Sequence, residues 1–327
     1  MFLLKSVKRI MILVSGIIVL IVVILFSILF FYSSGKPKQF FDGNEKVLRN
    51  SISEKIFLEV NGTRLGMFIK GENADNPIIL YLHGGIPDYF LTEKFPTHLE
   101  KNFVMVWLEQ RGCGISINSN SKNNKVTLDQ LVDDTIYLTQ YLIERFNKKK
   151  IYLMGHSGGT FLGVSVIDKA PELYHAYIGV AQMSDQFKSE KIAYNYMLNK
   201  YRELGNHKMV EVLQHISIAD NGKLPDEYVK IRDIAMHELG IGTMKSMKNL
   251  FTDLILPSLL FSEYTISEKY NLWIGKSQSG ISQNWNRMIN TNLIESKNSF
   301  EVPIYLFHGI DDYTCSYELA KEYFKKI

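Results

Sequence analysis

A serine set between glycines, Gly155-His156-Ser157-Gly158-Gly159, stands where the apolar run Ile151 to Met154 gives way to a helical pattern from Gly158 to Ala170. A strand that turns directly into a helix leaves no room for side chains on either side of the serine, and the strain lifts its oxygen clear of the backbone. The helix that follows brings its positive dipole end beside that oxygen. Ser157 is therefore expected to be a nucleophile that attacks an acyl carbon. His156 should point away from the Ser157 oxygen in so sharp a turn, which suits packing or hydrogen bonding better than base catalysis.

Attack on a carbonyl creates an oxyanion, which needs two preorganised donors. The stretch Tyr81-Leu82-His83-Gly84-Gly85-Ile86-Pro87 closes an earlier apolar run with paired glycines. The N–H of Gly85, with that of Gly158 after the nucleophile, is expected to supply the two donors. His83 reads as a residue that fixes this loop. A further glycine-rich loop, Glu109-Gln110-Arg111-Gly112-Cys113-Gly114-Ile115-Ser116, reads by itself as a tight turn. Near the C-terminus, Ile304 to Phe307 runs into His308-Gly309-Ile310-Asp311-Asp312. Asp312, three residues after the glycine, is expected to orient a histidine, and Asp311 to be solvated. The order serine then acid is the one this architecture uses.

The base is the difficulty. The eight histidines are His83, His98, His156, His175, His207, His215, His237 and His308, so none follows Asp312. Tyr317 to Lys326 reads as the helix after the acid loop, so a final strand, its histidine loop and a closing helix are expected to be missing, as in a C-terminal truncation. Without them a parallel-sheet edge would lie bare. Loss of the base costs roughly 10⁶ in turnover in a triad, about 8 kcal/mol. His308 is near Asp312 in sequence but sits at a strand end, from which it would have to reach Ser157.

Together the four motifs resemble the α/β-hydrolase family, and His83-Gly84-Gly85 with Gln110-Arg111-Gly112-Cys113-Gly114 is most similar to its proline iminopeptidase-like branch. The resemblance covers about residues 50 to 327. It implies an eight-stranded sheet with a helical cap inserted after the sixth strand, Ser157 as nucleophile, Asp312 as triad acid and Gly85 and Gly158 as oxyanion donors. His83, Gly84, Gln110 and Arg111 are expected to support the loops. The branch usually has glycine before the nucleophile and tryptophan after it; here His156 and Gly158 stand there.

These residues need a scaffold, and the chain can build one. Its 327 residues are 46% hydrophobic and 22% charged, with only 8 prolines, which excludes wholesale disorder. Of the 37 basic residues, Lys5, Lys8 and Arg9 precede any acid; beyond residue 32 the balance is 34 against 34, which excludes a net field for nucleic acid. Ile10 to Tyr32 carries no charge and, as a helix, spans roughly 34 Å. It reads as an uncleaved membrane anchor (residues 10–32) behind a basic tip (1–9), with a cytoplasmic N-terminus and an outward-facing domain. The Ser33-Ser34-Gly35 stretch leaves a cleaved signal peptide open. Residues 33–50 read as a tether.

Asn61-Gly62 joins two β-patterned runs and predicts a hairpin. Short apolar runs at Ile78 to Leu82, Phe103 to Leu108, Ile151 to Met154, Tyr177 to Ala181 and Ile304 to Phe307 predict strands. Leu128 to Phe146 predicts a helix capped by Thr127. Strands alternating with helices imply an α/β fold with a mostly parallel sheet. The core is placed at 51–184 and 301–327, and a helical cap at 185–300. Cys113 and Cys315 are read as two free, partly buried thiols, with a disulfide as the alternative.

The leading expectation is a membrane-anchored serine hydrolase acting on an ester, amide or short peptide, needing no cofactor or metal. The alternative is a catalytically inactive membrane-displayed binding protein of the same fold that has lost its base.

Overall fold

The computed structural model describes residues 2–117, 125–219, 221–242, 244, 246–247 and 249–327. A seven-stranded sheet organises it: β1 (Ile52–Val60), β2 (Thr63–Gly71), β3 (Ile78–Leu82), β4 (Val104–Glu109), β5 (Ile151–His156), β6 (Tyr174–Val180) and β7 (Ile304–Phe307), in the order β1-β2-β4-β3-β5-β6-β7. The first two strands form the expected hairpin, with Asn61 at φ 47° and Gly62 at φ 75°. Both lie in the left-handed region, which matches the twist of the flanking strands. β2 is antiparallel to β4, and every later pairing is parallel. Each residue of β3 and β4 is buried, as helices on both faces require.

Two helices hold the site's strands. The first to follow β4, Leu128–Arg145, starts with a reciprocal cap in which the Thr127 hydroxyl accepts from the Gln130 N–H and the Gln130 side chain accepts from the Thr127 N–H. Leu128, Leu131, Val132, Leu138 and Leu142 form its buried stripe. The second, Gly158–Lys169, buries nine of its residues between neighbours and ends just before Pro171 opens a 3₁₀ turn. In chain order we number the helices α1 (Phe2–Phe31), α2 (Leu128–Arg145) and α3 (Gly158–Lys169). β6 begins at Tyr174, three residues before its apolar run, because Tyr174 pairs with Ile151 of β5.

Between β6 and β7 the chain is helical: α4 (Gln186–Glu203), α5 (His207–Gln214), α6 (Asp226–Glu238), α7 (Leu256–Leu260), α8 (Ile266–Gln278), α9 (Gly280–Gln283), α10 (Trp285–Ile289) and α11 (Leu293–Ser296). An antiparallel bridge between Asp185 and Asn292 closes the base of this segment. It has its own core, including Ala193, Met197, Tyr201, Leu213, Tyr228 and Met236. The last helix, α12 (Tyr317–Phe324), returns to the sheet and buries Leu319, Ala320 and Tyr323.

The sheet has seven strands among the described residues, in line with the expectation that the last of the eight implied strands is missing; β7 is an edge, and Tyr305 and Phe307 on it are exposed. Residues 33–50, read as a tether, also make contacts with the domain. The Ser34 hydroxyl and the Gly35 N–H both donate to Ser262 O, at 2.9 and 3.0 Å, and the Lys70 ammonium donates to Lys38 O at 2.5 Å. The cysteines are free, as read, but fully rather than partly buried. The N-terminal helix α1 runs through the basic tip, and its stretch Ile10–Phe31 is long and apolar enough to cross a membrane. The side chains of residues 1–9, Lys5, Lys8 and Arg9 among them, lie outside the described set.

Candidate active site

Ser157 sits between β5 and α3 at φ 51° and ψ −122°, a conformation non-glycine residues avoid. Such a residue costs about 1–3 kcal/mol and persists only where its surroundings hold it. Here the Ser157 N–H donates to Val180 O on β6 at 3.0 Å, and its carbonyl accepts from the Thr160 N–H at 2.8 Å. Gly159 permits the turn: a Cβ there would stand 2.1 Å from Leu82 O, and strand backbone cannot yield. Gly158 faces the cap, where a Cβ would stand 2.6 Å from Ile281 Cγ2 and 3.4 Å from Met288 Cε. That contact explains why a bulky residue cannot follow this serine: α9 and α10 already fill the space.

The His83-Gly84-Gly85 loop reaches the same point. A Cβ on Gly84 would lie 2.9 Å from Ser157 Cβ and 3.3 Å from its Oγ, so this loop lies against the Ser157 side chain. Gly85, one residue on, is exposed and has open space around it. His83 is buried and pins the loop. Its Nδ1 donates to Gly84 O at 2.9 Å while its Nε2 accepts from the Gln110 N–H at 3.1 Å. Burial pushes its pKa down to about 4, so the neutral ring these bonds require is the stable form. The Gln110 side chain returns a bond to His83 O at 2.8 Å, and the Cys113 thiol donates to Gln110 O. Arg111 points elsewhere: its guanidinium makes a two-pronged pair with Asp134 on α2, at 2.7 and 2.8 Å, and donates to Asn61 O in the hairpin turn. It ties the loop to the scaffold.

The acid loop runs from Asp312 to Cys315, whose thiol is fully buried. Asp311 is exposed. Asp312 turns inward, with Oδ1 accepting the N–H groups of Thr314 and Cys315, both at 2.9 Å. Burial raises its pKa, partly offset by those donors and by His308. His308 Nε2 lies 3.6 Å from Asp312 Oδ2, but it donates to Cys315 O at 2.7 Å, and Nδ1 accepts from the Gln182 N–H at 3.3 Å. With both ring nitrogens committed to backbone, His308 is a loop fastener with no lone pair for Ser157.

Sequence reasoning missed two polar clusters. His156 places Nδ1 3.0 Å from Asp88 Oδ2, which also accepts from Tyr81 OH at 2.7 Å. Burial opposes charge on both partners, yet their mutual attraction prevails, raising the pKa of His156 and lowering that of Asp88. Extending the His83 motif by one residue past Pro87 would have found Asp88. The second cluster is in the helical segment, where the fully buried Glu190 of α4 receives Arg232 of α6 through two bonds, at 2.6 and 2.9 Å, and Tyr228 OH at 3.1 Å. No spacing signal marks two residues on separate helices. Among the described residues no group of three or more His, Cys, Asp or Glu could hold a metal ion.

The arrangement offers a half-buried serine on a strained turn, adjacent glycine backbone, an inward acid and an apolar wall from Ile281 and Met288. A family model described as serine aminopeptidase, S33, matches residues 74–238. The probable aminopeptidase YbaC of Bacillus subtilis (strain 168) is 26% identical over 286 residues, spanning 85% of this chain and 87% of that protein. A hydrolase from Pseudomonas aeruginosa superposes with a TM-score of 0.53 at 16% identity, covering 84% of this chain and 87% of that one. The esterase RhEst1 from Rhodococcus sp. gives 0.51 at 12% identity, covering 84% and 86%. At these identities the two structures show a shared α/β-hydrolase fold.

Proposed function

Because the chain belongs to the serine aminopeptidase S33 family of α/β-hydrolases, we propose that it is a membrane-anchored serine hydrolase that cleaves an ester or amide, including an N-terminal peptide bond, through an acyl-enzyme. The observation that carries this reading is Ser157 held at φ 51° against the backbone of Gly84. Ser157 Oγ attacks the acyl carbon and gives up its proton to a base. The oxyanion takes the N–H groups of Gly85 and Gly158, the bond to the leaving group breaks with proton return, and water then hydrolyses the acyl-serine. Asp312 is the acid that orients the base, with Oδ2 as the face that receives an imidazole. None of this chain's histidines follows it in sequence. Glu190 does not offer a spare charge for a substrate ammonium, because Arg232 neutralises it. Residues 10–32 hold the enzyme in a bilayer.

The test is labelling of the folded, micelle-held chain by a fluorophosphonate probe, with and without millimolar imidazole as an external base. Labelling that imidazole accelerates and that Ser157→Ala abolishes supports the proposal. A folded protein that stays unlabelled in imidazole, or that is labelled equally after Ser157→Ala, overturns it.

A further inference from the structure

The helical stretch Phe251–Leu260, a π-helical turn leading into α7, has one face packed and one bare. Leu254 and Ser258 turn inward, and the Ser258 oxygen accepts from Trp273 Nε1 at 2.9 Å. Phe251, Leu256 and Leu260 are 57%, 37% and 36% exposed. Large apolar side chains grouped on one short element mark a contact surface.

What they contact follows from where the stretch is fastened. Lys269 is buried, and its ammonium donates at once to Leu259 O at 2.6 Å, to Ser33 Oγ at 2.9 Å and to Tyr32 O. A cation thus caps the last carbonyls of α1, at the negative end of its dipole, and joins them to the end of α7. The next residues leave no slack, since a Cβ on Gly35 would stand 2.5 Å from Thr265 Cγ2. Along Ile10–Phe31, Leu29 alone is not exposed, so the domain packs against the last turn of that helix. Leu29 lies three residues before Tyr32, about 4.5 Å further along the axis. Helices that rest on bilayers bury their apolar face roughly 5–10 Å below the headgroups, so the contact at Leu29 lies close to the shallow edge of that layer.

We infer that Phe251–Leu260 lies in the interfacial layer of the same bilayer that α1 crosses, making the helical segment a second membrane contact. The occupant of the bare face is lipid. The inference rests on the reading of residues 10–32 as a membrane span.

The full chain is reconstituted into phosphatidylcholine vesicles with one introduced cysteine carrying an environment-sensitive fluorophore; Cys113 and Cys315 are buried and escape labelling in the folded protein. Leu256→Cys reports on the proposed contact and Phe251→Cys repeats it independently. Val19→Cys reports on the span. Tyr305→Cys on β7 is the control, at the opposite edge of the sheet from the β1–β2 hairpin and about 29 Å across it. The expected result is quenching of the 256 and 251 labels by lipids bearing a nitroxide high on the acyl chain, with iodide quenching several-fold weaker than at 305. If the label at 19 is quenched by lipid nitroxides while those at 256 and 251 are as open to iodide as 305, the inference fails and the span stands. If the label at 19 is also untouched by lipid nitroxides, the span reading falls and takes the inference with it.

Discussion

Replacing Glu109 with glutamine should stabilise the protein at neutral pH and leave it nearly unchanged in acid. Glu109 ends β4 in the interior, where Tyr264 OH donates to Oε1 and the Ile115 N–H donates to Oε2 at 2.6 Å. Burial raises its pKa from 4.5 to about 7 against the pull of those two donors. A folded-state pKa above the unfolded one means that the folded protein binds a proton more tightly. The contribution of this group is therefore most favourable below pH 4.5 and is lost as pH rises through 7. A shift of that size corresponds to about 3 kcal/mol at roughly 1.4 kcal/mol per unit. Glutamine reproduces the neutral form: its oxygen accepts from Ile115, and its amide donates to the Tyr264 oxygen. The stability difference between Glu109→Gln and the parent should grow by about 3 kcal/mol from pH 4.5 to 8, or roughly 4–5 °C in Tm for a chain of this length. Both proteins are unfolded in the same detergent across that range, so that His83 and the other titrating groups cancel in the difference. A difference that stays flat with pH, or that shrinks as pH rises, refutes the reasoning.

Other substitutions probe the supports of the site. Gly158→Ala should cost about 1–3 kcal/mol by overpacking against Ile281, and Ile281→Ala in the same chain should recover part of that loss in denaturant titrations. Asp134→Ala leaves the Arg111 guanidinium buried without its partner, so unfolding free energy should fall by about 3–5 kcal/mol, whereas a loss under 1 kcal/mol would show that water reaches Arg111 freely. Asp88→Asn should lower the pKa of His156, because burial then acts on the ring with only the weaker pull of Asp312 against it; an NMR titration of the imidazole that moves upward or not at all would contradict the pairing.

Features with local causes were legible in the sequence. The Asn61-Gly62 turn, the Thr127 cap with Gln130 three residues on, and the glycines around Ser157 each follow from sterics or hydrogen bonding within a few residues. The apolar runs located every later strand, and in β3 and β4 the reason is that two covered faces demand continuous hydrophobicity. Even there, pairing overruled composition: β6 starts at Tyr174 because Ile151 is its partner across the sheet.

Only the tertiary structure decided which polar groups meet. Gly35 and Pro37 read as a linker until Ser262 and Lys269 are seen to hold the residues beside them, more than 200 positions away. Lys269, which no local pattern marks, caps the end of α1. Glu190 and Arg232 stand on different helices, and Asp88 takes its role from His156 of a neighbouring strand. The same holds for His308, whose nearness to Asp312 in sequence suggested chemistry and whose two backbone bonds remove it. By itself the sequence determined where the strained serine turn stands, because that depends on crowding between adjacent residues. It did not determine which charges are paired, since a buried charge is satisfied by whatever the packing of distant segments brings within about 3 Å.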